Sequence, residues 1–150
     1  MYAQNLKDRS CLVLCIGNAS RGDDAIGWLI GDWLRSQDLH DLTVEYRYQL
    51  QVEDAALVQQ FSRVLFVDAI NEGLENGFEL SPCLPAAHYF FSSHRQSPET
   101  ILYLSEKLYD RTPKAWLLAI SGRQWDLGDE LSEAANENLA KAKEVLNDWL

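Results

Sequence analysis

The chain has 150 residues, of which 47% are hydrophobic, and its formal net charge is -10 at pH 7. This length predicts one domain over residues 1–150, long enough to bury a core. The acidic excess, without any cluster of basic residues, argues against a nucleic-acid partner. No stretch reaches the roughly 18 apolar residues of a membrane span, so we expect no membrane insertion, and residues 1–10 lack the apolar core of a signal peptide.

The three cysteines, Cys11, Cys15 and Cys83, lie in apolar stretches. Their odd number favours reduced thiols and a cytoplasmic location. Cys11 and Cys15 are four residues apart, so on a strand they share one face. A zinc site is one interpretation of this pair, but no second ligand pair follows, and core packing is favoured.

The first strand and helix are predicted by a change of periodicity over residues 12–27. The continuous apolar run at 11–16 is typical of a strand buried on both faces. Gly17 ends the run, and an amphipathic helix begins near Asp23 and Asp24. These two carboxylates therefore lie at the carboxyl edge of a central strand, where open α/β sheets bind ligands.

The remaining elements alternate between strands and helices in chain order. We predict a half-exposed strand at 43–49, a short helix at 52–61 and a buried strand at 63–69. A short strand at 78–80 is a candidate antiparallel edge, and an irregular stretch follows at 81–97. We then predict a helix that is capped by Ser97 and runs to about residue 109, a buried strand at 115–120 and a final helix at 129–149. This order predicts a three-layer α/β/α sandwich with right-handed crossovers and a mostly parallel, twisted sheet of about five strands.

Asp24 and Asp68 are the first candidates for a functional site. Both follow predicted buried strands, and if these strands are parallel neighbours the two carboxylates share one crevice. Their mutual repulsion there would be relieved by a divalent cation. Helix capping and turn formation are the alternative interpretations for these residues, and we assign Asp23 to capping.

A histidine could complete this site. His94 and His88 both lie in the irregular stretch, where a lone histidine is more often structural than a ligand, and His94 is nearer the predicted crevice. Two carboxylates and one imidazole suit Zn, Ni, Co, Mn or Fe(II), and their chemistry does not choose among these ions.

Other catalytic patterns are missing from the sequence. It contains no phosphate-binding glycine loop, no Gly-x-Ser-x-Gly and no His-Glu-x-x-His. Cys15 is the only thiol near the first loop, and no base adjoins it. Trp28 points away from the apolar stripe of the first helix, so it either packs under another element or contacts a partner.

The motifs together resemble one family. Leu-Val-Leu-Cys-Ile-Gly-Asn with Gly-Asp-Asp-Ala-Ile-Gly, then Val-Leu-Phe-Val-Asp-Ala, then His94 before a helix, are similar to the nickel-iron hydrogenase maturation proteases. The closing segments at 113–122 and 127–132 resemble the branch that serves bidirectional, NAD(P)-linked hydrogenases.

This resemblance implies an α/β/α endopeptidase that removes the C-terminal extension of the nickel-iron hydrogenase large subunit precursor after nickel insertion. It places the nickel-contacting residues at Asp24, Asp68 and His94. The resemblance further implies that the Ni2+ belongs largely to the substrate, with another divalent ion as an alternative occupant of the site.

The chain departs from the family pattern at three positions. Cys15 replaces a usual glycine, so either the loop backbone is displaced or a sulfur faces the site. Ala25 replaces a frequent glycine, and Asp24 is shorter than the glutamate of some members.

Three functions are therefore compared. The first is an endopeptidase acting by metal-assisted amide hydrolysis. The second is a non-catalytic nickel-binding accessory protein that docks on the hydrogenase precursor. The third is a structural acidic domain in which the aspartates only cap helices.

Overall fold

Five strands form a single sheet at the centre of the molecule, which we describe from a computed structural model covering residues 9–87, 96–128 and 130–150. The strands are β1 (Arg9–Ile16), β2 (Leu42–Arg47), β3 (Phe61–Ile70), β4 (Phe78–Cys83) and β5 (Lys114–Ser121). Their order in the sheet is β2-β1-β3-β5-β4. All neighbours are parallel except β4, which runs antiparallel to β5 at one edge. The predicted antiparallel edge is confirmed, although β4 is longer than expected.

Helices cover both faces of this sheet. They are α1 (Ile26–Ser36), which follows a 3-10 turn at Gly22–Ala25, α2 (Asp54–Val58), α3 (Pro98–Tyr109) and α4 (Glu133–Trp149). Buried side chains of α1 and α4 share one apolar cluster on one face, and those of α2 and α3 share a second cluster on the other. The predicted three-layer sandwich is therefore confirmed.

Strand β1 shows why its sequence is apolar without interruption. Cys11, Val13 and Cys15 pack into the cluster under α1 and α4, whereas Leu12 and Leu14 pack into the cluster under α2 and α3. Because both faces are covered by helices, the period-two alternation of a half-exposed strand is lost.

Two helix starts test the capping predictions. Ser97 caps α3 as predicted, since its Oγ accepts a hydrogen bond from the Thr100 amide at 3.1 Å. The predicted start of the last helix at residue 129 is wrong. Helix α4 begins at Glu133, and the Oγ of Ser132 caps it by accepting from the Ala135 amide at 3.1 Å.

None of the described helices is both long and apolar enough to cross a bilayer. The three cysteines are buried and unpaired. Cys11 and Cys15 share one face, as predicted, and both belong to the apolar core.

Candidate functional site

A cavity of about 490 Å³ opens at the carboxyl edge of the parallel strands. Its wall is assembled from the ends of β1, β2 and β3, the first residues of α3 and the loop after β5. The lining side chains include Arg21, Asp24, Tyr48, Gln49, Asp68, Asn71, Gln96 and Trp125. This is the position at which an open α/β sheet is expected to bind a ligand.

Asp24 and Asp68 both lie in the wall of this cavity. Their meeting follows from the sheet, because β1 and β3 are parallel neighbours and end side by side. Both carboxylates are half-buried. The expected shared crevice is therefore present, and the catalytic and metal-binding roles of the two residues stay predictions.

The third predicted site residue, His94, lies outside the described residues, as does His88. Within the described part of the chain, no group of three or more His, Cys, Asp or Glu side chains is placed to hold a metal ion. The two aspartates thus form an incomplete ligand set by themselves.

Gly17 allows the loop after β1 to turn back and place Asp24 at the cavity. Its φ of 151° is unfavourable for other residues. A Cβ atom at this position would lie only 2.1 Å from the Asp24 carbonyl oxygen. That same oxygen accepts a hydrogen bond from the Asn18 amide at 2.9 Å. A glycine is therefore required where the loop closes on Asp24.

The assignment of Asp23 to helix capping is wrong. Its side chain makes no capping hydrogen bond to the 3-10 turn or to α1. Instead the fully buried carboxylate reaches the loop after β5. It accepts hydrogen bonds from the amides of Arg123, Gln124 and Ser132 at 2.7, 2.9 and 2.8 Å, and from the Ser132 hydroxyl at 2.6 Å.

These hydrogen bonds set the charge state of Asp23. Burial alone raises the pKa of the carboxyl, but the Ser132 hydroxyl and the three backbone amides outweigh it and hold the pKa below its usual value. Asp23 is therefore a buried carboxylate at neutral pH, whose charge is stabilised by donors from residues 123, 124 and 132.

Backbone hydrogen bonds join the same two loops. The Asp23 amide donates to the Gln124 carbonyl at 2.7 Å, the Gly22 amide to the Gly128 carbonyl at 2.9 Å, and the Gly128 amide to the Ser20 carbonyl at 2.9 Å. Trp125 lies between these attachments and so is held in the cavity wall. Sequence reasoning missed Trp125, although its place shortly after a buried strand was an available signal.

The opposite wall is built by the residues that follow β2. Arg47 Nε lies 2.9 Å from Asp54 Oδ1, and the Gln51 amide donates to Asp54 Oδ2 at 2.9 Å, so this pair fixes both ends of the segment that contains Tyr48. Trp28 packs beneath it: its ring stacks on Tyr48 with centroids 5.2 Å apart. Of the two interpretations of Trp28, packing under another element is the one observed.

Cys15 does not face the cavity. It is fully buried on the α1 side of β1, where a Cβ atom added to Gly31 would lie 2.7 Å from its Sγ. Its backbone keeps the sheet register, pairing with Tyr46 on one side and Val67 on the other. The expectation of a sulfur facing the site is therefore wrong, and the expected displacement of the loop stays a prediction. Burial raises the pKa of this thiol to about 12.

No known family model matches the sequence, and no curated protein is significantly similar to it. Solved structures show a clear likeness of fold. A NiFe hydrogenase maturation protease, HycI, from Thermococcus kodakarensis KOD1 superposes with a TM-score of 0.71 at 21% identity, covering 99% of this chain and 97% of that one. The hydrogenase maturating endopeptidase HybD from E. coli gives a TM-score of 0.73 at 18% identity, covering 93% of this chain and 91% of that one.

A third structure, a hydrogenase 3 maturation protease, gives a TM-score of 0.70 at 20% identity, with 94% of this chain and 91% of that one covered. The chain thus has the fold of the hydrogenase maturation proteases over nearly its whole length. At these identities the likeness establishes the fold, and the activity has to be argued from the site.

Proposed function

We propose that this protein is an endopeptidase that removes the C-terminal extension of a nickel-iron hydrogenase large subunit precursor after nickel insertion. The observation that carries the proposal is the placement of Asp24 and Asp68, from two neighbouring strand ends, in the wall of one cavity. Its support from known proteins is the fold shared with maturation endopeptidases.

The proposal gives each side chain a stated task. Asp24, Asp68 and His94 contact a Ni2+ ion that the precursor carries, so the enzyme acts only on loaded substrate. Carboxylate and imidazole groups are suitable ligands for this ion. When bound, the ion supplies Lewis acidity toward the scissile amide. One of the two carboxylates acts as the general base that takes a proton from the attacking water.

The cavity is suited to this task because it receives a chain from outside. It opens at the sheet edge rather than in the core, and Tyr48 at its wall is 67% exposed. A peptide can therefore enter the cavity without unfolding of the sheet. We further propose that the substrate belongs to the bidirectional, NAD(P)-linked branch, on the basis of residues 113–122 and 127–132, and that the reaction is cytoplasmic.

The test is cleavage of nickel-loaded precursor, measured by mass spectrometry of the large subunit. We expect Asp24→Asn, Asp68→Asn and His94→Ala each to lower the cleavage rate about 100-fold or more, the size of a lost acid–base or ligand contribution. Asp148→Asn is the matched control, since Asp148 is exposed on α4 and should leave the rate unchanged.

The same assay separates the competing functions. If wild-type protein binds the precursor and never shortens it, the protein is an accessory factor rather than a protease. If all three variants cleave as fast as wild type, the site is wrongly assigned. Precursors from a bidirectional and from a non-bidirectional hydrogenase, compared side by side, test the proposed branch.

A further inference from the structure

Trp125 carries a buried hydrogen-bond donor without an acceptor. Its indole Nε1 is closed off from solvent and meets no acceptor among residues 9–87, 96–128 and 130–150. It is the single buried side-chain nitrogen or oxygen of this kind in the described part of the chain. Because an unmade hydrogen bond in the interior destabilises the folded state, such a group calls for a functional explanation.

The position of the ring provides one. Trp125 lines the cavity that also holds Asp24 and Asp68. Trp125 is half-buried, so one residue combines a place in the cavity wall with a buried donor that has no acceptor.

The indole is also held firmly. A Cβ atom at Gly122 would lie 3.0 Å from Trp125 Cη2, so the six-membered ring packs directly against that glycine. The preceding residues, Arg123 and Gln124, donate their amides to the buried Asp23 carboxylate. These contacts give the ring a defined position at the cavity wall before a substrate binds.

We propose that the Trp125 indole N–H donates a hydrogen bond to a backbone carbonyl oxygen of the substrate peptide, and that Trp125 thereby positions the peptide beside the two aspartates. A peptide carbonyl is the acceptor that every extended substrate presents in the cavity. Since the nitrogen is covered in the free protein, a small displacement of the ring or of residues 123–128 accompanies binding. This inference rests on the proposed function, because it requires a peptide in the cavity.

The experiment compares the cleavage kinetics of Trp125→Phe with those of wild type on the same nickel-loaded precursor. A second variant, Trp125→3-benzothienylalanine, keeps the bicyclic shape and replaces only the N–H by sulfur. Trp116→Phe is the matched control. Trp116 packs edge-on against Trp149, and neither residue lines the cavity.

We expect both Trp125 variants to raise KM about fivefold, the effect of one neutral hydrogen bond. The kcat should change less than twofold, and Trp116→Phe should change neither. The benzothienyl variant should melt at or above the wild-type temperature, because the N–H makes no bond in the free protein. A merely structural role would instead lower the melting temperature and leave KM unchanged.

Three results would overturn the inference. They are an unchanged KM in a folded benzothienyl variant, a lower melting temperature of that variant, or an equal rise of KM in Trp116→Phe. If one of these results is found while the wild-type protein cleaves the precursor normally, the inference about Trp125 fails and the proposed function stands. Wild-type protein that never cleaves the precursor defeats the proposed function and, with it, this inference.

Discussion

Asp23 shows how far a single residue can be understood from its sequence neighbours. An aspartate at the start of a helix is most often a cap, and that was the natural interpretation. Its actual partners lie 100 to 109 residues further along the chain. The sequence around Asp23 cannot predict these partners, because their contact with Asp23 depends on β5 lying beside β3. The place of Asp24 at the sheet edge, by contrast, could be predicted, since Asp24 follows the end of β1 closely in the sequence.

We predict that Asp23→Asn destabilises the protein by about 3 kcal/mol at pH 7. The side-chain NH2 of the new asparagine would point at N–H and O–H donors that now bond the carboxylate. The remaining hydrogen bonds would be to a neutral rather than a charged acceptor. Thermal unfolding monitored by circular dichroism would measure the change, with Asp148→Asn as the exposed control.

The cost of Asp23→Asn should depend on pH. Because the pKa of Asp23 is lower in the folded state, its stabilising contribution is fully present above the ordinary aspartate value of about 4. That contribution is lost as the pH falls through the lowered folded pKa. The gap in melting temperature between wild type and the variant should therefore narrow on acidification. A gap of constant size from pH 7 to pH 3 would show that the carboxylate charge is unimportant.

At the scale of elements, helix α1 is placed by a glycine. Gly27 lies over the ends of β1 and β3, and a Cβ atom there would be 2.4 Å from the Ile16 carbonyl oxygen and 3.0 Å from that of Val67. These are backbone atoms of the sheet, so they cannot move aside as a side chain would. The closeness of α1 to the two strand ends is what brings Asp24 to the cavity edge.

Gly27→Ala should therefore destabilise the protein by about 2 kcal/mol, the typical cost of overpacking, even though alanine is the better helix former. Urea unfolding followed by tryptophan fluorescence would measure this. Gly73→Ala is the control, because a Cβ atom at that position meets nothing within 4 Å. Equal stability of the two variants would mean that α1 is not held at this distance.

The elements themselves were largely predictable. The strands β1, β3 and β5 and the helix α3 follow from apolar runs and from a local capping motif, which need no knowledge of the fold. The start of α4 was predicted at residue 129, too early, because several polar residues there are acceptable caps. The structure selects Ser132, whose hydroxyl both caps α4 and donates to Asp23. The capping residue of α4 is therefore determined by a tertiary contact, which the periodicity of the sequence cannot predict.

At the scale of the whole molecule, the three cysteine thiols are distributed over both apolar clusters. Cys11 and Cys15 lie in the cluster under α1 and α4, and Cys83 lies in the cluster under α2 and α3. Burial raises the pKa of Cys11 to about 11, and that of Cys15 and of Cys83 to about 12. Thiolate is the reactive form, so all three are protected twice, by burial and by protonation.

We predict that the folded protein at pH 8 does not react with a thiol reagent such as DTNB over the minutes in which the unfolded protein reacts completely. A thiol of pKa about 12 is ionised at that pH in roughly one molecule in ten thousand. Guanidinium-unfolded protein should release three equivalents, which is the control. Rapid release of one equivalent from the native protein would show that one of the clusters opens locally.

The site as a whole was predictable only in part. The two carboxylates follow from strand ends, but the walls around them do not. Tyr48 and Trp125 enter the cavity because β2 lies beyond β1 and β5 lies beyond β3, and this lateral order is not written in the alternation of strands and helices. The sequence alone therefore predicted the two carboxylates at the cavity, but not the residues that form the walls around them.

The attachment of the Asp23 carboxylate to residues 123–132 has a consequence during protein synthesis. A nascent chain that has left the ribosome only as far as β3 already contains both cavity aspartates, yet the donors that hold Asp23 have not been translated. The Asp23 carboxylate must stay hydrated until residues 123–132 have been synthesised. The loop after β1 therefore cannot reach its final conformation before then. Premature termination between Asp68 and Ser132 yields a polypeptide that contains both cavity aspartates but lacks the Ser132 donors that hold Asp23.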